Sequence, residues 1–114
     1  MSRELKFRAW DYVDMNYNQE AVLSYLSNVN TKDKIKIMQF TGLKDKNGKD
    51  IYEGDIVKTY GSVGYSKDRC FNCKVIFDTG RYILDGNKYG KYEIFKPCEV
   101  IGNIYENKEL LLYS

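Results

Sequence analysis

Histidine is absent from this 114-residue chain, proline occurs once and cysteine three times. Without histidine the commonest general base is missing, and Ser-His-Asp or Cys-His catalysis within one chain is excluded. An ordinary hydrolase is therefore not expected. No apolar run approaches the roughly twenty residues of a membrane-spanning helix, and Met1 to Arg8 lacks the apolar core of a secretory signal. The expected location is the cytoplasm, with no membrane partner. Three cysteines, an odd number, fit a reducing compartment in which no disulfide framework is needed. A dominant charge is missing too: 18 Lys plus Arg against 16 Asp plus Glu leave a formal net charge of +2. No global field draws the chain to a polyanion, so any nucleic-acid contact would rest on a local patch.

What the chain does contain is aromatic residues, 15% of the total and eleven of them tyrosine. Such rings suit half-buried sheet surfaces and protein interfaces. The length predicts one domain over residues 1–114 with a modest core. Leu5, Phe7 and Ala9 alternate with Lys6, Arg8 and Trp10, which predicts a strand with one buried face, the choice of face depending on Trp10. Residues 11–18 read as a loop or ragged hairpin. Val22, Tyr25, Leu26 and Val29 recur at helical spacing and predict a short amphipathic helix from Glu20. A second strand follows from Ile35 to Phe40, ended by Thr41-Gly42. Asn47-Gly48 suits a tight hairpin turn, and Glu53-Gly54-Asp55 a second turn in which glycine supplies an awkward backbone angle and the Asp carboxylate accepts local N–H bonds. Gly42, Gly48, Gly54 and Asp55 are the expected structural turn residues. Further strands are predicted at 55–60, 70–78, 81–84, 92–95 and 100–105, with a loop at 61–68, Pro97 marking a strand edge or start and a final helical turn over 106–111. The expectation is a mainly β fold with minor helix: a small, strongly bent antiparallel sheet or partly open barrel.

The stretch from Gln39 to Val57, together with Phe7-Arg8-Ala9-Trp10-Asp11 and Glu99-Val100-Ile101-Gly102-Asn103-Ile104-Tyr105, resembles the signature of the YopX family, small proteins of phages and prophages in Gram-positive bacteria. The resemblance implies a bent or bifurcated sheet with short helices and assembly into multi-subunit complexes in the host cytoplasm. It implies no activity. Tyr52-Glu53-Gly54-Asp55-Ile56-Val57 also looks like the start of an SH3-like barrel, and some such barrels bind nucleic acid.

Three constellations carry chemistry. Glu53 and Asp55 could share acid/base work or hold a divalent cation, although a tight turn favours Asp55 as a local hydrogen-bond acceptor. Cys70-Phe71-Asn72-Cys73 has C-x-x-C spacing, and Cys98 could join from another strand, but no histidine or second C-x-x-C completes a zinc site. Ordinary thiols are expected, with no metal and no cofactor. Arg81, Tyr82, Lys88, Tyr89, Lys91, Tyr92, Phe95 and Lys96 interleave cations with rings and form the candidate binding surface. Such a surface serves a protein contact, stacks unpaired bases as single-strand binders do, or is a plain solvated face. The resulting expectation is a phage or prophage accessory protein, homo-oligomeric, binding itself and a host or phage protein rather than catalysing. An SH3-like nucleic-acid module is the alternative.

Overall fold

Period-two patterning becomes strand along most of the chain. The computed structural model describes residues 5–27, 34–60, 70–86, 90–94 and 98–111. In chain order it contains β1 (Phe7–Trp10), β2 (Met15–Asn16), α1 (Gln19–Ser27), β3 (Lys36–Lys44), β4 (Asp50–Tyr52), β5 (Asp55–Tyr60), β6 (Cys70–Asp78), β7 (Arg81–Asp85), β8 (Lys91–Glu93) and β9 (Cys98–Asn103), closed by a 3-10 turn at Lys108–Leu111. The fold is mainly β. Two antiparallel sheets have strand orders β2-β1-β3-β4 and β8-β7-β6-β5-β9, the second curled into a half-barrel. The 61–68 loop, Val29 and Pro97 lie outside the described residues.

Local chemistry explains the first sheet. Asp11 accepts the N–H groups of Val13 and Asp14 at 2.8 and 2.7 Å, and Tyr12 takes a positive φ of 74°, so the chain reverses and β2 pairs back onto β1. Asn18 Oδ1 accepts the Ala21 N–H at 3.1 Å and caps α1. Gln19 then reaches the N–H and C=O of Phe7 at 2.9 and 2.7 Å, tethering the first helical turn to β1. Only Val22 of the helix is buried, and Leu26, an expected inward residue, is 52% exposed. The tether sits at one end of a nine-residue helix, close to Val22, its one fully buried side chain.

Thr41-Gly42 does not end β3 as the glycine suggested. The Thr41 hydroxyl donates to the Ile51 carbonyl at 2.7 Å and accepts the Leu43 N–H at 3.2 Å, while the register with β4 slips between Phe40 and Lys44. The side chain carries the strand across a bulge, with Gly42 at φ 89°, and β3 continues to Lys44.

The next two turns are stitched to the second sheet. Asp45 Oδ1 accepts from the N–H groups of Asn47 and Lys49 at 2.8 and 2.9 Å, and its Oδ2 accepts from Val100 in β9 at 2.9 Å. At Gly54 the N–H donates to Val75 of β6 and the carbonyl accepts from Ile104, both at 2.9 Å. Ile51 of the first sheet enters the half-barrel and packs with Val57, Cys73, Val75, Leu84 and Cys98. Burial pushes the Asp45 carboxyl up, but its three N–H donors outweigh this and hold it below the ordinary value of 3.8.

Two predictions follow from this geometry. Gly54 sits at φ 87°, and a Cβ there would lie 2.9 Å from Met38 Sδ; Gly48 has a similar φ of 83° but open space around it. Gly54→Ala should lower stability by about 1–3 kcal/mol and Gly48→Ala by less, read as urea midpoints. Equal losses would remove the steric part of the argument. Because the folded-state pKa of Asp45 is lowered, its stabilisation is present above pH 3.8 and is lost as pH falls through the folded value. Asp45→Asn should therefore cost about 1–3 kcal/mol at neutral pH, with the difference from wild type shrinking in acid; a difference constant with pH would refute the carboxylate role.

Candidate functional site

Arg8 lies on β1 on the same side as Trp10, and the sheet buries it to 2% exposure. Its Nη1 donates to Asp55 Oδ1 at 2.7 Å and to the Tyr17 hydroxyl at 3.3 Å; its Nη2 donates to the Glu53 carbonyl at 3.1 Å. The second Asp55 oxygen accepts the Tyr52 N–H at 2.7 Å. The guanidinium carbon stands 4.9 Å from the Tyr52 ring centre and 6.0 Å from that of Tyr17. Only Nε has no hydrogen-bond partner. Above this pair opens a cleft of about 490 Å³, walled by Tyr17, Lys49 and the end of β9.

Burial pushes the Asp55 carboxyl above its usual value, with the Arg8 charge and the Tyr52 N–H pulling against it. Glu53 is likewise raised by burial, opposed by Arg8. Both Asp55 oxygens are spent on Arg8 and Tyr52, and Glu53 gives the network its carbonyl rather than its carboxylate. The arrangement can hold a turn against a strand. Among the described residues no group of three or more acidic or cysteine side chains gathers around a point where a metal could sit.

Two of the cysteines belong to the core, and the side chain of Cys70, the first of the C-x-x-C pair, lies outside the described residues. Cys73 and Cys98 are fully buried free thiols, raised by desolvation to about 12 and about 11. With no metal bound, both are neutral thiols near neutrality.

The basic–aromatic stretch is placed in two parts. Lys88, Tyr89, Phe95 and Lys96 lie outside the described residues. Arg81 pairs with Glu93 at 2.8 Å and Lys91 with Asp78 at 3.2 Å, both on the surface of the half-barrel. Tyr82 packs edge-on against Phe77 and donates its hydroxyl to Gln39 at 2.8 Å, while Tyr92 packs against the core. Thus the described cations face acids, and the described rings lean on protein.

An apolar surface elsewhere escaped the sequence patterning. Six of the eight exposed large hydrophobics among the described residues are Leu5, Tyr12, Val13, Tyr17, Leu23 and Leu26, all between residues 5 and 26: just before β1, in the β1–β2 turn, just after β2 and on α1. Arg8 escaped as well. The signal available for it was Trp10, two residues on and on the same face of the strand.

Removing one partner of a buried ion pair leaves the other charged and unmatched, at a cost of about 3–5 kcal/mol. Asp55→Asn and Arg8→Gln should each approach that loss in urea denaturation, and the double variant should lose less than the sum. Strict additivity would show that the two residues act independently.

The family model described as YopX protein matches residues 16–112. Among solved structures, protein EF1440 from Enterococcus faecalis is similar over 96% of this chain and 99% of its own, at 24% identity and a TM-score of 0.62. Protein YopX from Bacillus subtilis is similar over 92% of this chain and 96% of its own, at 23% identity and a TM-score of 0.60. At these identities the likeness is one of fold. No curated protein matches the chain. With the matched span running from β2 to the closing 3-10 turn, the chain belongs to the YopX family.

Proposed function

We propose that this YopX-family chain is a phage or prophage accessory protein that works by binding, as a homo-oligomer, and not by catalysis. The observation that carries the reading is the concentration of exposed apolar side chains between Leu5 and Leu26. A contiguous segment that leaves so many large side chains in water is the mark of an interface, whereas scattered single residues need no explanation. The half-barrel is not the source of this surface, since its hydrophobic residues are largely turned into its own core. The buried polar groups at the floor of the cleft support the same reading: Arg8, Asp55 and the Glu53 carbonyl are engaged with one another and with the Tyr52 N–H, so these groups serve to hold the turn.

Sedimentation equilibrium at micromolar concentration should find a species larger than the monomer. Leu23→Asp combined with Leu26→Asp should return it to monomer mass without moving the urea midpoint by more than about 0.5 kcal/mol, because both side chains already lie at the surface. Wild-type protein at monomer mass across that range would sink the proposal.

A further inference from the structure

In the cleft above the Arg8–Asp55 pair the acceptors are occupied and the donors are not. Each acid in its wall already has a partner: Asp50 takes Lys6 and Lys44, Asp55 takes Arg8 and the Tyr52 N–H, and one Glu106 oxygen takes Asn103 Nδ2 at 2.8 Å. The donors in the same wall stand open. The Tyr17 oxygen accepts from Arg8, and Asn107 Oδ1 accepts the Asn103 N–H at 3.1 Å, which leaves the Tyr17 hydroxyl proton and the Asn107 amide group to offer outward. Lys49 Nζ forms no ion pair or hydrogen bond among the described residues, and its charge reaches Asp45 and Asp55 only through space.

Tyr52 is the most telling of these residues. It is 5% exposed, yet its hydroxyl has no hydrogen-bond partner among the described residues. Among those residues the buried side-chain atom that lacks a partner and is also sealed from water is Arg8 Nε, so the Tyr52 hydroxyl reaches solvent, and the opening that Tyr52 lines is the cleft. Burial, the chief influence on this phenol, keeps its pKa above the ordinary 10.0, so the hydroxyl retains its proton and is a donor. A donor so enclosed is costly unless something in the cleft accepts from it.

We propose that this cleft binds a small organic carboxylate, which accepts from the Tyr52 and Tyr17 hydroxyls and from Asn107 Nδ2 while Lys49 answers its charge. Val100 and Ile101, at the end of β9, give the body of such a ligand an apolar wall. A volume of about 490 Å³ is that of a small-molecule site. One open cation matches one negative charge. A phosphate monoester carries about −1.5 to −2 near pH 7, and its second charge would stand beside Asp50, Asp55 and Glu106 with no cation left to answer it. A neutral acceptor would satisfy the hydroxyls and leave Lys49 unmatched.

Amide NMR shifts, followed as acetate, benzoate and phenylacetate are titrated in turn at neutral pH, test the site. At least one of the three should bind with the millimolar affinity expected of so few atoms and move the amides of Lys49, Tyr52, Gly102 and Asn107 while leaving those of Phe77 and Tyr82 still. Benzamide and phenyl phosphate should each bind several-fold more weakly than the best carboxylate. Tyr52→Phe and Lys49→Met should each weaken that carboxylate several-fold without lowering the urea midpoint, and Lys49, being exposed, supplies a variant that keeps its fold. Failure of all three carboxylates to move the cleft amides overturns the proposal, as does binding undiminished in both folded variants. Phenyl phosphate or benzamide bound as tightly as the carboxylate overturns the assigned ligand class. The cleft lies within one chain, so protein carrying Leu23→Asp and Leu26→Asp should bind as wild type does, and the site is judged apart from self-association. A carboxylate bound by wild type and not by that folded variant would place the site between copies and overturn it as stated.

Discussion

A guanidinium at 2% exposure must have its charge answered, and Asp55 answers that of Arg8 across 47 residues of chain. Desolvating both ions is costly, and a well-packed apolar replacement is often as stable or more so. What the pair contributes is position. Arg8 belongs to β1 of one sheet, Asp55 to the start of β5 in the other, and the Glu53 carbonyl to the turn between β4 and β5. A fork of planar donors satisfied at these points fixes the turn at which the two sheets diverge.

Other contacts gather around that junction. Trp10 of β1 stacks on Tyr105, just after β9, at 5.9 Å. The N–H and carbonyl of Gly54 bond to β6 and to Ile104, and Met38 lies so near Gly54 that a Cβ would collide with it. Ile51, a few residues before, leaves the first sheet to fill the half-barrel. The turn from Tyr52 to Asp55 therefore receives polar and apolar constraints together, and a glycine with positive φ is the residue that lets the backbone approach so closely.

Among the described residues the buried ionisable groups are engaged in holding the fold. Cys73 and Cys98 are neutral thiols in the core, and Asp45 and Asp55 serve as acceptors for the backbone and for Arg8. Large apolar side chains are left exposed outside, chiefly on the β1–β2 turn and α1.

Sequence alone determined most of the strands, though not β2 or β4, together with the mainly β class and the turns at Asn47-Gly48 and Glu53-Gly54, because alternation and φ preference act over a few residues. It also determined the absence of histidine chemistry. Tertiary structure decided the rest. Thr41-Gly42 reads locally as a stop, yet a hydroxyl bonded to Ile51 turns it into a bulge. Leu26 has inward spacing, yet α1 is seated through Gln19 and Val22 and leaves it in solvent. Asp45 reads as a turn residue, yet one of its oxygens holds Val100, 55 positions away. Arg8 alternates like a surface cation, yet its partner Asp55 lies 47 residues on, at the start of β5 in the other sheet. Partners so distant leave no trace in local periodicity; only the folded chain brings them within hydrogen-bond reach.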